Sequence, residues 1–78
     1  MPRRSTRSPE GVKFGETVRR LRKQAGLSQE ALAERANLNA DFVGFIERGD
    51  NVPTLTTILQ LARALGVQPS MITKDFDE

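Results

Sequence analysis

The sequence predicts an all-α protein built from five short helices. Three observations support this class within its 78 residues. Apolar residues recur at intervals of three and four, the spacing that gives a helix one buried face. Glycine, asparagine and proline residues separate these repeats and mark helix ends. No alternating apolar run is long enough for a strand, because the β-branched residues lie inside the helical repeats.

One small domain is expected between two flanking segments, since the chain is too short for two cores. Residues 1–11 are predicted to form a basic flexible arm, because they are polar and contain Pro2 and Pro9. The domain should occupy residues 12–74, and residues 75–78 a short acidic tail.

The first helix is predicted at residues 13–25. Its apolar residues follow at intervals of four, three and four: Phe14, Val18, Leu21 and Ala25. Gly26 is expected to end it, because glycine readily adopts the left-handed conformation found just after a helix.

Two further helices follow closely, at residues 29–36 and 40–48. Ser28 and Asn39 suit their N-caps, and Gly49 should end the second of them. Asn37 lies between them and tolerates a left-handed backbone, so it can redirect the chain. Helices joined by so short a turn cross steeply, as in a helix-turn-helix. Leu32, Ala33 and Ala36 share one face of the first of these helices, and Phe42, Val43 and Ile46 recur at helical spacing in the second. The residues expected to hold the crossing are Ala33, Leu38, Val43 and Ile46.

The fourth and fifth helices follow a loop that begins at Asp50. Thr54 is the expected cap of the fourth helix, and Gly66 its end. The predicted buried stripe of this helix is Leu55, Ile58, Leu61, Ala62 and Leu65. Pro69 suits the first turn of a short fifth helix.

The amino-acid composition argues against several classes of function. The chain has no cysteine and no histidine, which removes disulfides, thiolate metal sites and the commonest general base. An enzyme is therefore not expected, and neither a cofactor nor a small-molecule effector is evident. No segment has the roughly 20 apolar residues that would span a membrane, and no secretory signal is visible, so an intracellular, cytoplasmic location is expected.

Charge is divided unevenly along the chain. Residues 1–30 carry eight basic and three acidic side chains, whereas residues 31–78 carry four basic and seven acidic ones. A basic half suggests a polyanionic partner. An ordinary solvated arm with normal helix-surface charge explains the same distribution equally well.

Several motifs in register give the chain a family resemblance. They are Arg19-x-x-Arg22, Gly26-Leu27-Ser28-Gln29-Glu30, Leu32-Ala33, Val43-x-x-Ile46-Glu47-Arg48-Gly49, Pro53-Thr54-Leu55 and Leu61-Ala62-x-Ala64-Leu65-Gly66-Val67. Over residues 14–72 the chain resembles the Xre-type, lambda repressor- and Cro-like helix-turn-helix proteins. Two residues depart from the family pattern. Asn37 replaces the usual turn glycine, and Gly44 replaces a common serine, opening space that is expected to face the groove.

The resemblance implies a compact lambda-repressor-like domain whose third helix lies in the major groove of DNA. Because Val43 and Ile46 must face the core, the base-facing positions would be Asn39, Ala40, Asp41, Gly44 and Phe45. Asn39 could pair with adenine, Asp41 could accept from cytosine, and Phe45 could contact a thymine methyl. Asp41 also suits the helix dipole without any base contact, and Phe45 could simply be solvated.

Other roles are implied in the same way. The expected phosphate-binding residues are Ser28, Gln29, Phe42, Asn51 and Thr54, although Phe42 could equally be a core residue and Ser28 a simple helix cap. A structural ion pair is expected between Arg22 and Glu47, and Gln29 could brace the third helix. The arm residues that could enter the minor groove are Arg3, Arg4 and Arg7.

The expected partner is double-stranded DNA, bound by a homodimer that recognises a palindromic site. The apolar residues proposed for the dimer interface are Leu59, Val67, Met71, Ile72 and Phe76, although Val67 and Ile72 could instead close the monomer core. The sequence thus favours a small dimeric repressor or controller. The alternative is an antitoxin-like or bridging module that uses this fold to bind proteins.

Overall fold

The computed structural model describes residues 8–50 and 53–74. Within these ranges it contains five helices and no strand: α1 (Pro9–Gln24), α2 (Gln29–Ala36), α3 (Ala40–Glu47), α4 (Leu55–Leu65) and α5 (Pro69–Thr73). The predicted all-α class is confirmed, and each predicted helix is present. No helix in the described part of the chain is both long and apolar enough to cross a membrane.

The first helix begins earlier than the sequence predicted. Ser8 is its N-cap, with the hydroxyl accepting from the Gly11 N–H at 3.0 Å, and Pro9 occupies the first turn. Pro9 was interpreted as part of the arm, but proline is tolerated at the first helical position, where its missing N–H has no partner to lose. The predicted arm of residues 1–11 is therefore too long. Residues 1–7 and 75–78 lie outside the described residues.

The helix ends agree closely with the sequence pattern. The side chains of Ser28 and Thr54 cap α2 and α4 by accepting from backbone N–H groups three residues on. Asn37 takes the left-handed conformation with φ of 61°, which ends α2 and turns the chain toward α3. Gly66 ends α4 with φ of 74°. These caps fix the helix boundaries locally, before tertiary packing is considered.

The core lies where α1, α2 and α3 meet α4 and α5. α3 packs against both α1 and α2, while α2 also contacts α4. The buried apolar residues are Phe14, Val18, Leu21, Leu32, Ala33, Ala36, Val43, Ile46, Leu61, Ala62 and Ile72. The predicted α2 and α3 faces are thus confirmed, apart from Leu38 and Phe42, which are half-buried against this core.

The prediction that Leu55 belongs to the buried stripe of α4 is wrong. Leu55 is 70% exposed, whereas Thr57 is 7% exposed. The Thr57 N–H and hydroxyl both lie 3.2 Å from the Thr54 hydroxyl, so its polar groups are satisfied within the first turn of α4. A threonine whose hydroxyl is already hydrogen-bonded can be buried at modest cost. Thr57 therefore faces the core at the start of α4, and Leu55 lies outside it.

Two glycines allow α1 to approach the end of α3. A Cβ on Gly15 would collide with the backbone carbonyl oxygen of Ile46 and would lie 2.8 Å from that of Glu47. Gly49, with φ of 81°, lies so close to α1 that its Cβ would be 2.9 Å from the Cα of Val12. The position of α3 on the domain therefore depends on the absence of side chains at both contacts.

Candidate nucleic-acid interface

The outward face of α3 is defined by its buried residues. Val43 and Ile46 face the core and have no exposed surface, so the outward face consists of the exposed positions of α3 and of its N-cap. Asn39 and Asp41 are exposed, Ala40 is half-buried, and Phe45 is 46% exposed. An aromatic ring with so much exposed surface on a small domain suits a contact surface.

Asn39 has two functions available to its side chain. Its Oδ1 accepts from the Asp41 N–H at 2.8 Å and so caps α3. The cap uses the carbonyl oxygen and leaves the amide NH₂ group as a potential donor. Asp41 lies in the first turn of the helix, where its charge also favours the helix dipole.

Gly44 does not open free space toward the groove, contrary to the sequence-based expectation. It is buried under the side chains of two neighbours. The position that a Cβ would take lies 3.3 Å from Nη1 of Arg48 and 3.9 Å from Oε1 of Gln29. The space beside Gly44 is therefore lined by these two side chains, and a Cβ there would press on Arg48.

Arg48 is a member of this surface that sequence reasoning missed. Its guanidinium carbon lies 5.1 Å from the centroid of the Phe45 ring, within the range of a cation–π contact. Its Nε donates to Oδ2 of Asp50 at 3.3 Å. The signal was present in the sequence, because positions 44, 45 and 48 are separated by three and four residues and share one helical face.

A buried ion pair holds α3 in place. Nε of Arg22 donates to Oε2 of Glu47 at 2.6 Å, and Nη2 of Arg22 donates to Oε1 at 3.1 Å. The two side chains are only 11% and 4% exposed. The predicted pair is therefore present in its two-point form, which fixes both distance and orientation.

Two further hydrogen bonds extend this pair to the start of α2. Nη1 of Arg22 donates to the Leu27 carbonyl oxygen at 2.8 Å, and Nε2 of Gln29 donates to Oε1 of Glu47 at 3.0 Å. The hydrogen bonds to Glu47 raise the pKa of Arg22 above its ordinary value, against the opposing effect of burial. A raised pKa means that this stabilisation is fully present below the ordinary arginine pKa, and so at neutral pH. α1, α2 and α3 are thus joined at one point.

The residues predicted to bind phosphate lie in different settings. Ser28 is exposed and caps α2 by accepting from the Ala31 N–H at 3.0 Å. Gln29 is committed to Glu47 through its amide nitrogen, as the predicted brace requires. Thr54 is exposed at the start of α4, and Phe42 packs partly into the core. Asn51 lies outside the described residues, as do Arg3, Arg4 and Arg7.

This arrangement of α2 and α3 matches a known domain. The sequence model of the family described as "Helix-turn-helix domain" matches residues 13–73. The chain belongs to this helix-turn-helix family.

Similar proteins agree with this assignment. The HTH-type transcriptional regulator y4dJ of Sinorhizobium fredii is 36% identical over 64 residues, which cover 82% of this chain and 83% of that protein. The control protein C.BamHI of Bacillus amyloliquefaciens is 40% identical over 57 residues, covering 72% and 70%. The structure of the restriction-modification controller protein C.AhdI from Aeromonas hydrophila superposes with a TM-score of 0.81 at 43% identity, covering 83% of this chain and 98% of that one.

These relatives define the class of function. The helix-turn-helix domain described here is a DNA-binding transcriptional regulator and not an enzyme. The described residues include no cluster of acidic side chains suited to a metal ion. In helix-turn-helix proteins the second helix of the motif lies in the major groove, and α3 is that helix in this domain.

A second apolar surface of the helix-turn-helix domain lies on α4 and α5. Leu59 is 39% exposed and Met71 is 38% exposed, while Val67 is half-buried. Leu59 and Val67 line one shallow groove between the two helices. Ile72 was predicted to belong to the dimer interface, but it has no exposed surface and is part of the core. Phe76 lies outside the described residues.

Proposed function

We propose that two copies of this domain form a symmetric dimer that binds a palindromic operator and acts as a small repressor or controller. The observation that carries the proposal is the three-helix junction at Glu47. It holds α3 through Arg22 and Gln29 while the opposite face of α3 remains free for bases. A rigid recognition helix with an open outer face suits sequence-specific binding, because orientation on DNA must be fixed before bases can be distinguished.

Three residues would make the base contacts on this face. Asn39 would donate to adenine through its amide group, Asp41 would accept from a cytosine amine, and Phe45 would contact a thymine methyl. Ala40, between Asn39 and Asp41, is small enough to allow close approach. Because the side chains of Arg48 and Gln29 cover Gly44, we expect these side chains, and not the Gly44 backbone, to contact DNA at this position.

Phosphate contacts would position α3 without reading sequence. Ser28 and Gln29 begin α2, where backbone N–H groups that lack helical partners suit an anion. Thr54 caps α4, a second helix start whose backbone N–H groups suit an anion. Gln29 would then contact phosphate and also position Glu47, because its Nε2 donates to Oε1 of Glu47 at 3.0 Å.

Dimerisation would use the apolar surface of α4 and α5. Leu59, Val67 and Met71 supply exposed apolar area, and Leu55 lies one helical turn before Leu59 with 70% of its surface exposed. Two-fold symmetry through this surface would place two copies of α3 on the same side of a duplex, as a palindromic site requires. The similarity to the controller proteins C.BamHI and C.AhdI supports a similar regulatory role. We propose that the domain acts in the cytoplasm on nucleoid DNA.

The proposal is tested by a gel-shift titration at several salt concentrations. Random-sequence DNA should bind with an affinity that falls steeply with salt, because phosphate contacts release counterions. A palindromic site selected from a random pool should bind on the order of a thousandfold more tightly than random DNA. Absence of DNA binding at low salt would overturn the proposal and favour a module that binds proteins.

A further inference from the structure

Arg48 is positioned on the face of α3 that the proposed function turns toward DNA. α3 itself contains two acidic residues, Asp41 and Glu47, and no basic one. Arg22 neutralises Glu47 inside the domain, but Asp41 remains exposed. A recognition helix with this charge would be repelled by DNA unless a cation lay beside it. Arg48 lies directly after the helix. Its Nε pairs with Asp50, and its guanidinium lies against Gly44 and Phe45 on this face.

The side chain of Arg48 turns back along α3. Nη1 lies 3.3 Å from the place where a Gly44 Cβ would be, and the guanidinium carbon lies 5.1 Å from the Phe45 ring centroid. A Cβ at position 44 would press on Arg48, which would shift by a few tenths of an ångström, and a longer side chain would displace it further. The absence of one at Gly44 allows the arginine to lie against the helix.

Stacking leaves the guanidinium able to bind a second partner. An arginine over an aromatic ring uses its flat face, whereas its hydrogen-bond donors lie along its edge. Nε is already committed to Asp50 at 3.3 Å. Across residues 8–50 and 53–74, neither terminal nitrogen of Arg48 has a hydrogen bond to the protein, and 55% of the side chain is exposed. The two terminal NH₂ groups of a partly fixed guanidinium thus keep donors for a further partner.

We propose that Arg48 and Phe45 act together as one base-reading pair, in which Arg48 donates to a guanine and Phe45 contacts the methyl group of a neighbouring thymine. The proposal rests on the proposed function. Arginine paired with O6 and N7 of guanine is the commonest specific contact in the major groove. The guanidinium carbon lies 5.1 Å from the ring centroid, between one and two base-pair steps of about 3.4 Å each, so the two groups are close enough to contact neighbouring base pairs.

The pair makes Arg48 a determinant of specificity and not only a source of charge. The ring restrains the guanidinium before DNA arrives, so less side-chain freedom is lost on binding. Asp50 restrains it from the other side. A lysine at position 48 would keep the charge but would lack the planar fork that matches a guanine edge.

The test is selection of binding sites from a random-sequence DNA pool by the full-length protein and its variants. The wild type should enrich a palindrome that contains a guanine beside a thymine in each half. Arg48→Met should lose the preference for that guanine by about tenfold and keep the other preferences. Arg48→Lys should lose the same preference while the salt dependence of binding stays near that of the wild type.

Two other variants complete the experiment. Arg20→Met removes the same charge from an exposed site on α1 and should select the wild-type sequence. Gly44→Ser should displace Arg48 and weaken the guanine preference without removing any charge. Circular dichroism of each variant identifies any that fails to fold. The guanine preference is then compared among the variants that do fold.

The possible results separate this inference from the proposed function. If the wild type enriches no sequence, the proposed function fails and the inference fails with it. If the wild type enriches a palindrome and Arg48→Met selects the same one, only the inference is overturned. A uniform loss of affinity at every base position in Arg48→Met would assign Arg48 to phosphate and would also overturn it.

Discussion

Arg22 and Glu47 lie 25 residues apart in the sequence and meet in a two-point contact, with distances of 2.6 and 3.1 Å between their donor and acceptor atoms. The contact joins the first helix to the end of the third. Because Gln29 also donates to Glu47, one carboxylate receives hydrogen bonds from both of the helices that flank α3. One buried acid therefore contributes to fixing the angle of α3 on this domain, together with the close glycine contacts to α1.

Removing one partner of this pair should destabilise the domain strongly. Arg22→Met leaves the Glu47 carboxylate buried with only Gln29 as its side-chain donor, so the free energy of unfolding should fall by about 3–5 kcal/mol. Urea denaturation followed by circular dichroism measures this change. Arg20→Met is the matched control, because Arg20 is exposed and its loss should cost less than about 0.5 kcal/mol. Equal effects of the two substitutions would show that the pair does not hold the fold.

Gly15→Ala should also destabilise the domain, although alanine is the better helix former. Alanine gains about 1 kcal/mol in helix propensity over glycine. Its Cβ would collide with the carbonyl oxygens of Ile46 and Glu47, and overpacking of this kind costs about 1–3 kcal/mol. Backbone atoms cannot rotate away, so the collision should dominate. The measurement is the shift in urea midpoint. Glu16→Ala, at the next and exposed position, should shift it little, and a stabilised Gly15→Ala would contradict the packing of α1 on α3.

Phe45 should discriminate thymine from uracil in the selected operator. Replacing the contacted thymine with uracil removes one methyl group, and the wild type should lose about fourfold in affinity, equivalent to roughly 0.8 kcal/mol. Phe45→Ala should bind both operators equally, because it has no ring to cover the methyl. Fluorescence anisotropy with the two duplexes measures the difference. Wild-type protein that does not distinguish them at any thymine would remove Phe45 from the base-facing set.

The α4–α5 surface should control the oligomeric state. Leu59→Glu places a charge at the centre of the exposed apolar residues, so the dimer should dissociate while the monomer stays folded, because Leu59 is already 39% exposed. Sedimentation velocity measures the mass. Gln24→Glu adds the same charge at the exposed end of α1 and should leave a dimer intact. A dimer that survives Leu59→Glu would locate the interface elsewhere.

The helices were predictable from the sequence because their signals are local. Ser28, Asn37, Thr54 and Gly66 act through their own backbone and side-chain chemistry, which does not depend on distant residues. The start of α1 was not predicted because a proline such as Pro9 has opposite effects at different helix positions. It breaks a helix in the interior but suits the first turn, and only the Ser8 cap distinguishes the two.

The parts of the site that were missed depend on tertiary contacts. Leu55 and Thr57 both fit a helical period, and the choice between them depends on how α4 rotates against the core. Gly44 was identified as unusual, but its neighbour Arg48 lies after the predicted reading residues and was assigned no role. The ion pair between Arg22 and Glu47 came from family resemblance alone, because nothing local links residues 25 positions apart.

The central claim is that the outward face of α3 contacts bases in DNA. The most direct test is a titration of isotope-labelled protein with the selected duplex, followed by amide chemical shifts in NMR. The largest changes are expected at Asn39, Asp41, Phe45 and Arg48, with smaller ones at the start of α2. Changes concentrated on α4 and α5, with α3 unaffected, would contradict it.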